Sequence, residues 1–369
     1  MKVLFLTNIP SPYRVDFFHE LAKYCDLTVL YEMVSAADRD EAWVRADKEN
    51  GTYQVVFLNP VLKQSSSAWC PSVKRYLKKG VYDVIIVGGY STPTGISAIC
   101  CLNRRKIPYL INCDGGFAPK KENQLKHSIK KYLLSGASGW LSSGKLADQY
   151  LIHYGAKEEQ IFHYPFTSLW EHEILSNPLS KEEKNRYKQE LGIGQGKMIL
   201  AVGQFIPRKG FDILLQAAAQ LETKCVIYIV GGQVNEEYQQ LLERYQLNNV
   251  FFLSFMLGEQ LKKYYYASDI FALPTREDIW GLVINEAMAA GLPVVTTDKC
   301  AAGVELLEPE NLVLAGDAVT LAERLNMLLK DDKQREQIGA RNLEKIREYT
   351  IENMAKIHSD IFTQVSKDR

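Results

Sequence analysis

Short apolar runs of four to seven residues recur along the whole chain, each followed by a loop and then by a stretch with helical hydrophobic spacing. An apolar run without polar alternation is a strand buried on both faces, and a parallel sheet covered by helices on both sides supplies that burial. The first run, Val3 to Leu6, leads through a proline-containing loop into a helix over residues 15–24. Further strands are expected at residues 27–31, 54–58, 84–87, 109–112 and 139–141. Around residues 165–184 the pattern gives way to a polar, charged stretch that ends in a helix and in Gly192-Ile193-Gly194-Gln195-Gly196. The rhythm restarts at Met198-Ile199-Leu200-Ala201-Val202-Gly203, with strands expected at 226–230, 250–253, 270–273, 294–296 and 312–314.

This interruption divides the 369 residues into two α/β domains, each within the usual domain size. Residues 1–170 form the first, 171–196 a linker with a leading helix, and 197–350 the second, while a last helix over about 351–369 crosses back to the first. The expected fold class is a pair of Rossmann-like, doubly wound parallel sheets facing a central cleft, with ligands at the carboxyl ends of the strands. A dinucleotide dehydrogenase is disfavoured, because the first strand is not followed by Gly-x-Gly-x-x-Gly.

The formal net charge is zero, so no global field recruits nucleic acid. Seven cysteines, an odd number, fall partly in apolar runs such as Ile99-Cys100-Cys101-Leu102 and read as buried reduced thiols of a cytoplasmic protein. The apolar opening Val3 to Leu6 is too short for a signal peptide, and no stretch reaches the roughly 20 apolar residues of a membrane span. No Cys-x-x-Cys pair and no clustered histidines present a zinc spacing.

Two segments carry the chemistry. In the first, Val202-Gly203-Gln204-Phe205-Ile206-Pro207-Arg208-Lys209-Gly210-Phe211-Asp212, a buried strand turns into an amphipathic helix, with adjacent cations at the turn. Arginine grips a phosphate through two parallel hydrogen bonds and lysine adds a point charge, so Arg208 and Lys209 suit a diphosphate, although a basic dipeptide in a loop is often only solvated. In the second, Leu273-Pro274-Thr275-Arg276-Glu277-Asp278-Ile279-Trp280-Gly281-Leu282-Val283-Ile284-Asn285-Glu286, a strand ends, a polar loop follows, and a helix starts near Gly281 and stops at Gly291. The N–H groups at that helix start, at Leu282 and Val283, form an anion site. Asp278 and Glu286 bracket the loop and can accept hydrogen bonds from sugar and ribose hydroxyls, with an acid–base pair as the competing reading.

These two segments resemble those of the retaining glycosyltransferases of family 4, which have the GT-B fold, and the resemblance extends over most of the chain. It implies that Arg208 and Lys209 bind the donor diphosphate, that Glu286 holds the nucleotide ribose, and that Asp278 contacts the donor sugar. Gly203, Ile279, Trp280, Gly281, Leu282 and Val283 complete the implied donor site. Asp278 stands where the family most often has glutamate, and Trp280 where phenylalanine is usual. Asp114 lies roughly where relatives carry an active-site histidine or aspartate, and equally reads as a turn former before Gly115-Gly116. Tyr13 and Arg14, after Asn8-Ile9-Pro10-Ser11-Pro12, either meet an acceptor or pack the helix they open; Tyr90, in Gly88-Gly89-Tyr90-Ser91, joins them as an acceptor-side candidate. Asp38-Arg39-Asp40 looks like the Asp-x-Asp metal motif of the other large glycosyltransferase fold but lacks its context and reads as a surface loop.

The expected activity is transfer of a sugar from a nucleoside diphosphate, with a UDP-sugar favoured, to a hydroxyl of a lipid-linked or surface-polysaccharide glycan, with retention of anomeric configuration. No cofactor and no metal are expected, the nucleotide sugar being a substrate. A sugar-nucleotide epimerase or hydrolase of the same fold, and a catalytically silent scaffold, are the competing classes. Between residues 100 and 131, Arg104, Arg105, Lys106, Lys120, Lys121, Lys126, Lys130 and Lys131 face only Asp114 and Glu122, and residues 124–134 read as a basic amphipathic helix. Such a helix suits peripheral contact with the anionic inner face of the cytoplasmic membrane, and suits equally a solvated surface.

Overall fold

Residues Val3 to Leu6 are wholly buried, as a strand in the middle of a parallel sheet must be. In the computed structural model, which describes residues 1–34, 51–63, 67–119 and 121–367, they lie in β1 (Lys2–Thr7). The chain continues through α1 (Pro12–Leu21), β2 (Asp26–Tyr31), β3 (Gln54–Phe57), a small antiparallel pair β4 (Leu62–Lys63) and β5 (Ala68–Trp69), β6 (Val84–Val87) and α2 (Pro93–Arg105). β7 (Leu110–Cys113), α3 (Gln124–Leu134), β8 (Gly139–Ser142), α4 (Lys145–His153) and β9 (Ile161–His163) follow.

Among the described residues the first sheet has seven parallel strands in the order β3-β2-β1-β6-β7-β8-β9. Its topological switch point lies between β1 and β6, which pair with Leu4 opposite Ile85 and Leu6 opposite Val87. Two sequence readings need extension here. β9 is short and only half-buried, and the β4–β5 pair spans two residues a side, so neither has an apolar run long enough to read. The first helix starts earlier than its hydrophobic spacing indicates, because Pro12, lacking an N–H, occupies its first turn at no hydrogen-bonding cost.

The second unit begins with α5 (Lys181–Glu190), capped by Ser180 and Glu183 in a reciprocal capping box. Then come β10 (Lys197–Val202), α6 (Phe211–Ala218), β11 (Cys225–Val230), α7 (Glu236–Arg244), β12 (Val250–Leu253), α8 (Gly258–Ala267) and β13 (Ile270–Leu273). α9 (Leu282–Ala289), β14 (Val294–Thr297), α10 (Ala301–Leu306), β15 (Leu312–Val313), α11 (Ala318–Lys330) and α12 (Asp332–Ile346) complete it. The six strands are all parallel, in the order β12-β11-β10-β13-β14-β15. The switch point falls between β10 and β13, where Ile199 pairs with Ile270.

The chain divides into two compact units, residues Met1–Ser168 with Thr350–Arg369, and Leu169–Tyr349. The stretch 171–196 therefore belongs to the second unit, and Lys188 of α5 is buried there in an ion pair with Asp269 at 2.9 Å. The last helix, α13 (Ile351–Lys367), belongs to the first unit and packs on α1, with the His358 ring 4.8 Å from that of Phe17. Burial among these rings depresses His358 to about 4, so its imidazole is neutral, with Nδ1 2.8 Å from the Met354 carbonyl.

All seven cysteines are free thiols, but Cys100 is exposed and Cys25 half-buried. Both were expected inside. α2 carries Cys100 and Cys101 on adjacent positions, and a helix turns neighbours about 100° apart, so only Cys101 enters the core. No helix among the described residues is long and apolar enough to cross a membrane.

Candidate functional site

The two chemistry-bearing segments of the second unit leave the sheet from adjacent strands, β10 and β13, on either side of its switch point. Open α/β sheets bind ligands there because the loops diverge and leave a crevice at the strand ends. After β10, residues 207–209 form one short 3-10 turn that places Arg208 and Lys209, and Gly210 starts α6 with φ at +68°. A Cβ at Gly210 would stand 2.0 Å from the Pro274 carbonyl oxygen, so the two loops approach as closely as glycine permits.

That approach is stitched by polar contacts. The Arg208 carbonyl accepts from the Arg276 N–H at 2.8 Å and from the Thr275 hydroxyl at 2.9 Å. The Arg208 guanidinium donates to the Glu277 carbonyl at 2.8 Å and lies 3.5 Å from Asp278 Oδ1. Lys209 donates to Asp278 Oδ2 at 2.5 Å, and its stem lies against Gly203, where a Cβ would stand 3.2 Å from the Lys209 Cε. Asp278 is therefore held between the two cations, and its backbone is fixed by a bond from its N–H to the Lys299 carbonyl at 2.8 Å.

Gly281, with φ at +98°, opens α9 and directs its first N–H groups, those of Leu282 and Val283, out of the helix end. A side chain at Gly281 would meet the Cys300 sulfur at 2.8 Å. Ile279 is exposed and Leu282 and Val283 are half-buried. Trp280, by contrast, turns inward: it is 3% exposed, donates to Asn285 Oδ1 at 2.9 Å and stacks on Tyr349. The Trp280 indole thus packs inside the loop that the sequence assigns to the donor site and helps to shape it. Glu286 lies on α9, about one turn in, and accepts from the Tyr265 hydroxyl at 2.8 Å. Burial pushes its carboxyl up to about 7, while the Tyr265 bond holds it down.

In the first unit the candidates group otherwise. Arg14 is 4% exposed, forms an ion pair with Asp114, and lies 5.7 Å from the centroids of the Phe5, Tyr13 and Phe166 rings. Burial works against its charge, but Asp114, Tyr13 and Tyr164 outweigh that and hold its pKa above the ordinary value. Asp114 also accepts on Oδ1 from the Tyr164 hydroxyl and the Asn112 amide, both at 2.6 Å. The Arg14–Asp114 pair, formed across 100 residues, was not legible in the sequence. Tyr13 packs edge-on against Phe166, and Tyr90 approaches the Cys113 sulfur at 3.5 Å, with burial raising its phenol well above the ordinary range.

Two further groupings were missed. Glu32 is wholly buried at the end of β2, accepts from the Thr92 hydroxyl at 2.5 Å, and is pushed by burial up to about 7. Glu122, His127 and His153 hold ligand atoms within 4.8 Å of one another, although their spacing in the chain announces nothing. Asp38, Arg39 and Asp40 lie outside the described residues, as does Lys120.

Two doubly wound parallel units with this connectivity are those of the GT-B fold. Residues 183–345, most of the second unit, match the family model described as glycosyl transferases group 1. An uncharacterised glycosyltransferase of Methanocaldococcus jannaschii is 36% identical over 134 residues, 35% of this chain and 33% of that protein. A D-inositol 3-phosphate glycosyltransferase of Corynebacterium efficiens is 29% identical over 206 residues, 52% of this chain and 49% of its own length. The chain thus spans between a third and a half of these curated relatives. Among solved structures, the Anabaena protein HepE, in complex with UDP and glucose, superimposes with a TM-score of 0.73 at 20% identity, covering 100% of this chain and 99% of that one. Sucrose-phosphate synthase of Thermosynechococcus elongatus gives 0.76 at 18% identity, covering 100% of both chains.

Proposed function

We propose that this chain transfers a glycosyl group, with retention, from a UDP-sugar to a hydroxyl acceptor on a lipid-linked or surface-polysaccharide glycan. The observation that carries the reading is the convergence of Arg208, Lys209 and the start of α9 at the switch point of the second sheet. Two fixed cations, one offset by Asp278, and a helix N-terminus make a site suited to a dianionic diphosphate, which in this reading is held without a metal. In the transfer, the bond from the sugar C1 to the diphosphate oxygen breaks and a bond from C1 to the acceptor oxygen forms. The acceptor proton passes to an oxygen of the departing UDP, whose charge Arg208 and Lys209 stabilise. Glu286 receives the ribose hydroxyls and Asp278 the donor sugar, each from a position where it is already held by a hydrogen-bond partner. HepE was solved with UDP, which supports the choice of base, and a solved neighbour, WaaG, acts in lipopolysaccharide biosynthesis.

The exposed face of α3 supports contact with an anionic membrane. Leu125, Ile129 and Tyr132 are 71%, 52% and 63% exposed, and Lys126, Lys130 and Lys131 flank them. Sedimentation with vesicles containing anionic lipid checks this: binding lost in Ile129→Glu supports the contact, and equal binding to neutral vesicles sinks it.

For the donor site, the test is a thermal-shift screen against UDP, GDP, ADP and CMP with their sugar conjugates, with and without EDTA. Stabilisation by UDP that persists in EDTA and disappears in Arg208→Ala is the expected result. No shift with any nucleotide overturns the donor site, and conversion of the donor without acceptor moves the reading to an epimerase or hydrolase.

A further inference from the structure

Two helices of the first unit bring together three metal-ligating side chains. Glu122 stands just before α3, His127 lies within its first turns, and His153 is the last residue of α4. His127 Nδ1 is 3.5 Å and His153 Nε2 3.9 Å from the same carboxylate oxygen, Glu122 Oε2. The imidazole rings meet edge to face with centroids 4.9 Å apart, and both side chains are 33% exposed, so solvent and ions reach them.

We propose that Glu122, His127 and His153 bind one divalent cation of the zinc class, with the fourth coordination position taken by water. Two imidazoles and one carboxylate are the donor set such borderline ions prefer, whereas calcium and magnesium select oxygen alone. Bonds of roughly 2.0–2.2 Å in a tetrahedron separate ligand atoms by about 3.3–3.6 Å. The separations to Glu122 Oε2 are near that range, and the remaining closure is within the reach of side-chain rotation at a partly exposed position.

The surroundings shape the site in two opposed ways. The Tyr154 hydroxyl donates to Glu122 Oε2 at 2.7 Å and orients the carboxylate, the kind of outer contact that tunes metal sites. Lys130 lies 3.2 Å from the other oxygen, Oε1, and 3.0 Å from the Tyr154 hydroxyl. It neutralises Glu122 in the metal-free chain and repels a bound cation, so it lowers affinity without blocking Oε2. A bound ion ties the loop before α3 and α3 itself to the end of α4. This inference is independent of the glycosyl-transfer reading.

The test uses the full chain stripped of metal and titrated with Co2+, then with Zn2+. One equivalent of Co2+ is expected to give the visible absorption of a low-coordinate nitrogen–oxygen site, which Zn2+ then bleaches. His153→Asn and His127→Asn are expected to lose the signal while keeping the wild-type circular dichroism, and His172→Asn, in the second unit, to keep it. Lys130→Met is expected to tighten binding about 10-fold, and Tyr154→Phe to weaken it by about 10-fold or more. Absence of stoichiometric binding by the folded wild type overturns the proposal, as does an undiminished signal in folded His153→Asn.

Discussion

The Lys209 ammonium lies 2.5 Å from Asp278 Oδ2, joining two loops whose residues stand 69 apart in the chain. Each side chain is 12% exposed, so the pair is largely removed from water; Lys209 alone would keep a costly buried charge, whereas Asp278 without Lys209 keeps Arg208 at 3.5 Å. Lys209→Met is expected to lower stability by about 1–3 kcal/mol, since Arg208 still faces Asp278, and to weaken UDP binding. Asp278→Asn is predicted to separate these effects: stability falls, UDP binds at least as well because Lys209 is released to the phosphates, and turnover drops. Calorimetric titration with UDP beside a denaturant melt checks both; weaker UDP binding in Asp278→Asn would show that the carboxylate itself holds the donor site in shape.

Gly210 is predicted to tolerate no side chain. Its φ of +68° disfavours any L-residue, and the Pro274 carbonyl oxygen already stands 2.0 Å from where a Cβ would go. Gly210→Ala should cost on the order of 1–3 kcal/mol and displace Lys209 with it. Gly232, also at positive φ (+109°) but with nothing within 4 Å, is the control. A Gly210→Ala protein that melts like wild type and binds UDP normally contradicts the loop contact.

Glu286 gives a pH dependence of definite sign. Its folded pKa is raised to about 7, so between the ordinary carboxylate range and pH 7 the folded chain holds a proton that the unfolded chain has lost. Its contribution is fully present below the unfolded pKa and disappears as pH rises through about 7. Glu32, also raised to about 7 by burial, acts with the same sign. Glu286→Gln is therefore expected to raise the melting temperature more at pH 8 than at pH 5; the reverse order would mean that Glu286 is ionised in the folded chain across this range.

The Arg14–Asp114 pair is predicted to stabilise the first unit. Arg14→Met leaves Asp114, whose side chain is 28% exposed, with two neutral donors in place of its cation, at about 1–3 kcal/mol for a partly buried carboxylate. Arg14→Met combined with Asp114→Asn should recover part of that loss, and the double-mutant cycle measures the coupling by chemical denaturation. Additive losses would show that the two residues act separately.

Strand positions such as Val3–Leu6, Ile199–Val202 and Ile270–Leu273 were readable because a strand buried on both faces leaves an unbroken apolar run, whatever lies around it. The Arg208–Lys209 turn and the Asp278 to Glu286 segment were readable because strand, loop and helix follow one another in the chain. β9 and the β4–β5 pair were not, since a short edge strand and a two-residue antiparallel pair are only partly buried. Cys100 was misplaced because an apolar neighbourhood in sequence does not say which side of α2 faces solvent.

Sequence alone therefore determined the alternation of strands and helices, the division into two α/β units, and the chemical character of the loops after β10 and β13, all properties of residues near one another in the chain. Tertiary structure decided which charges meet: Lys209 with Asp278, Arg14 with Asp114, Tyr265 with Glu286, and Glu122 with His127 and His153. It also turned Trp280 inward. Hydrophobic patterning repeats with the local period of strand and helix, whereas an ion pair or a ligand set depends on strand order and loop approach, which no local period encodes.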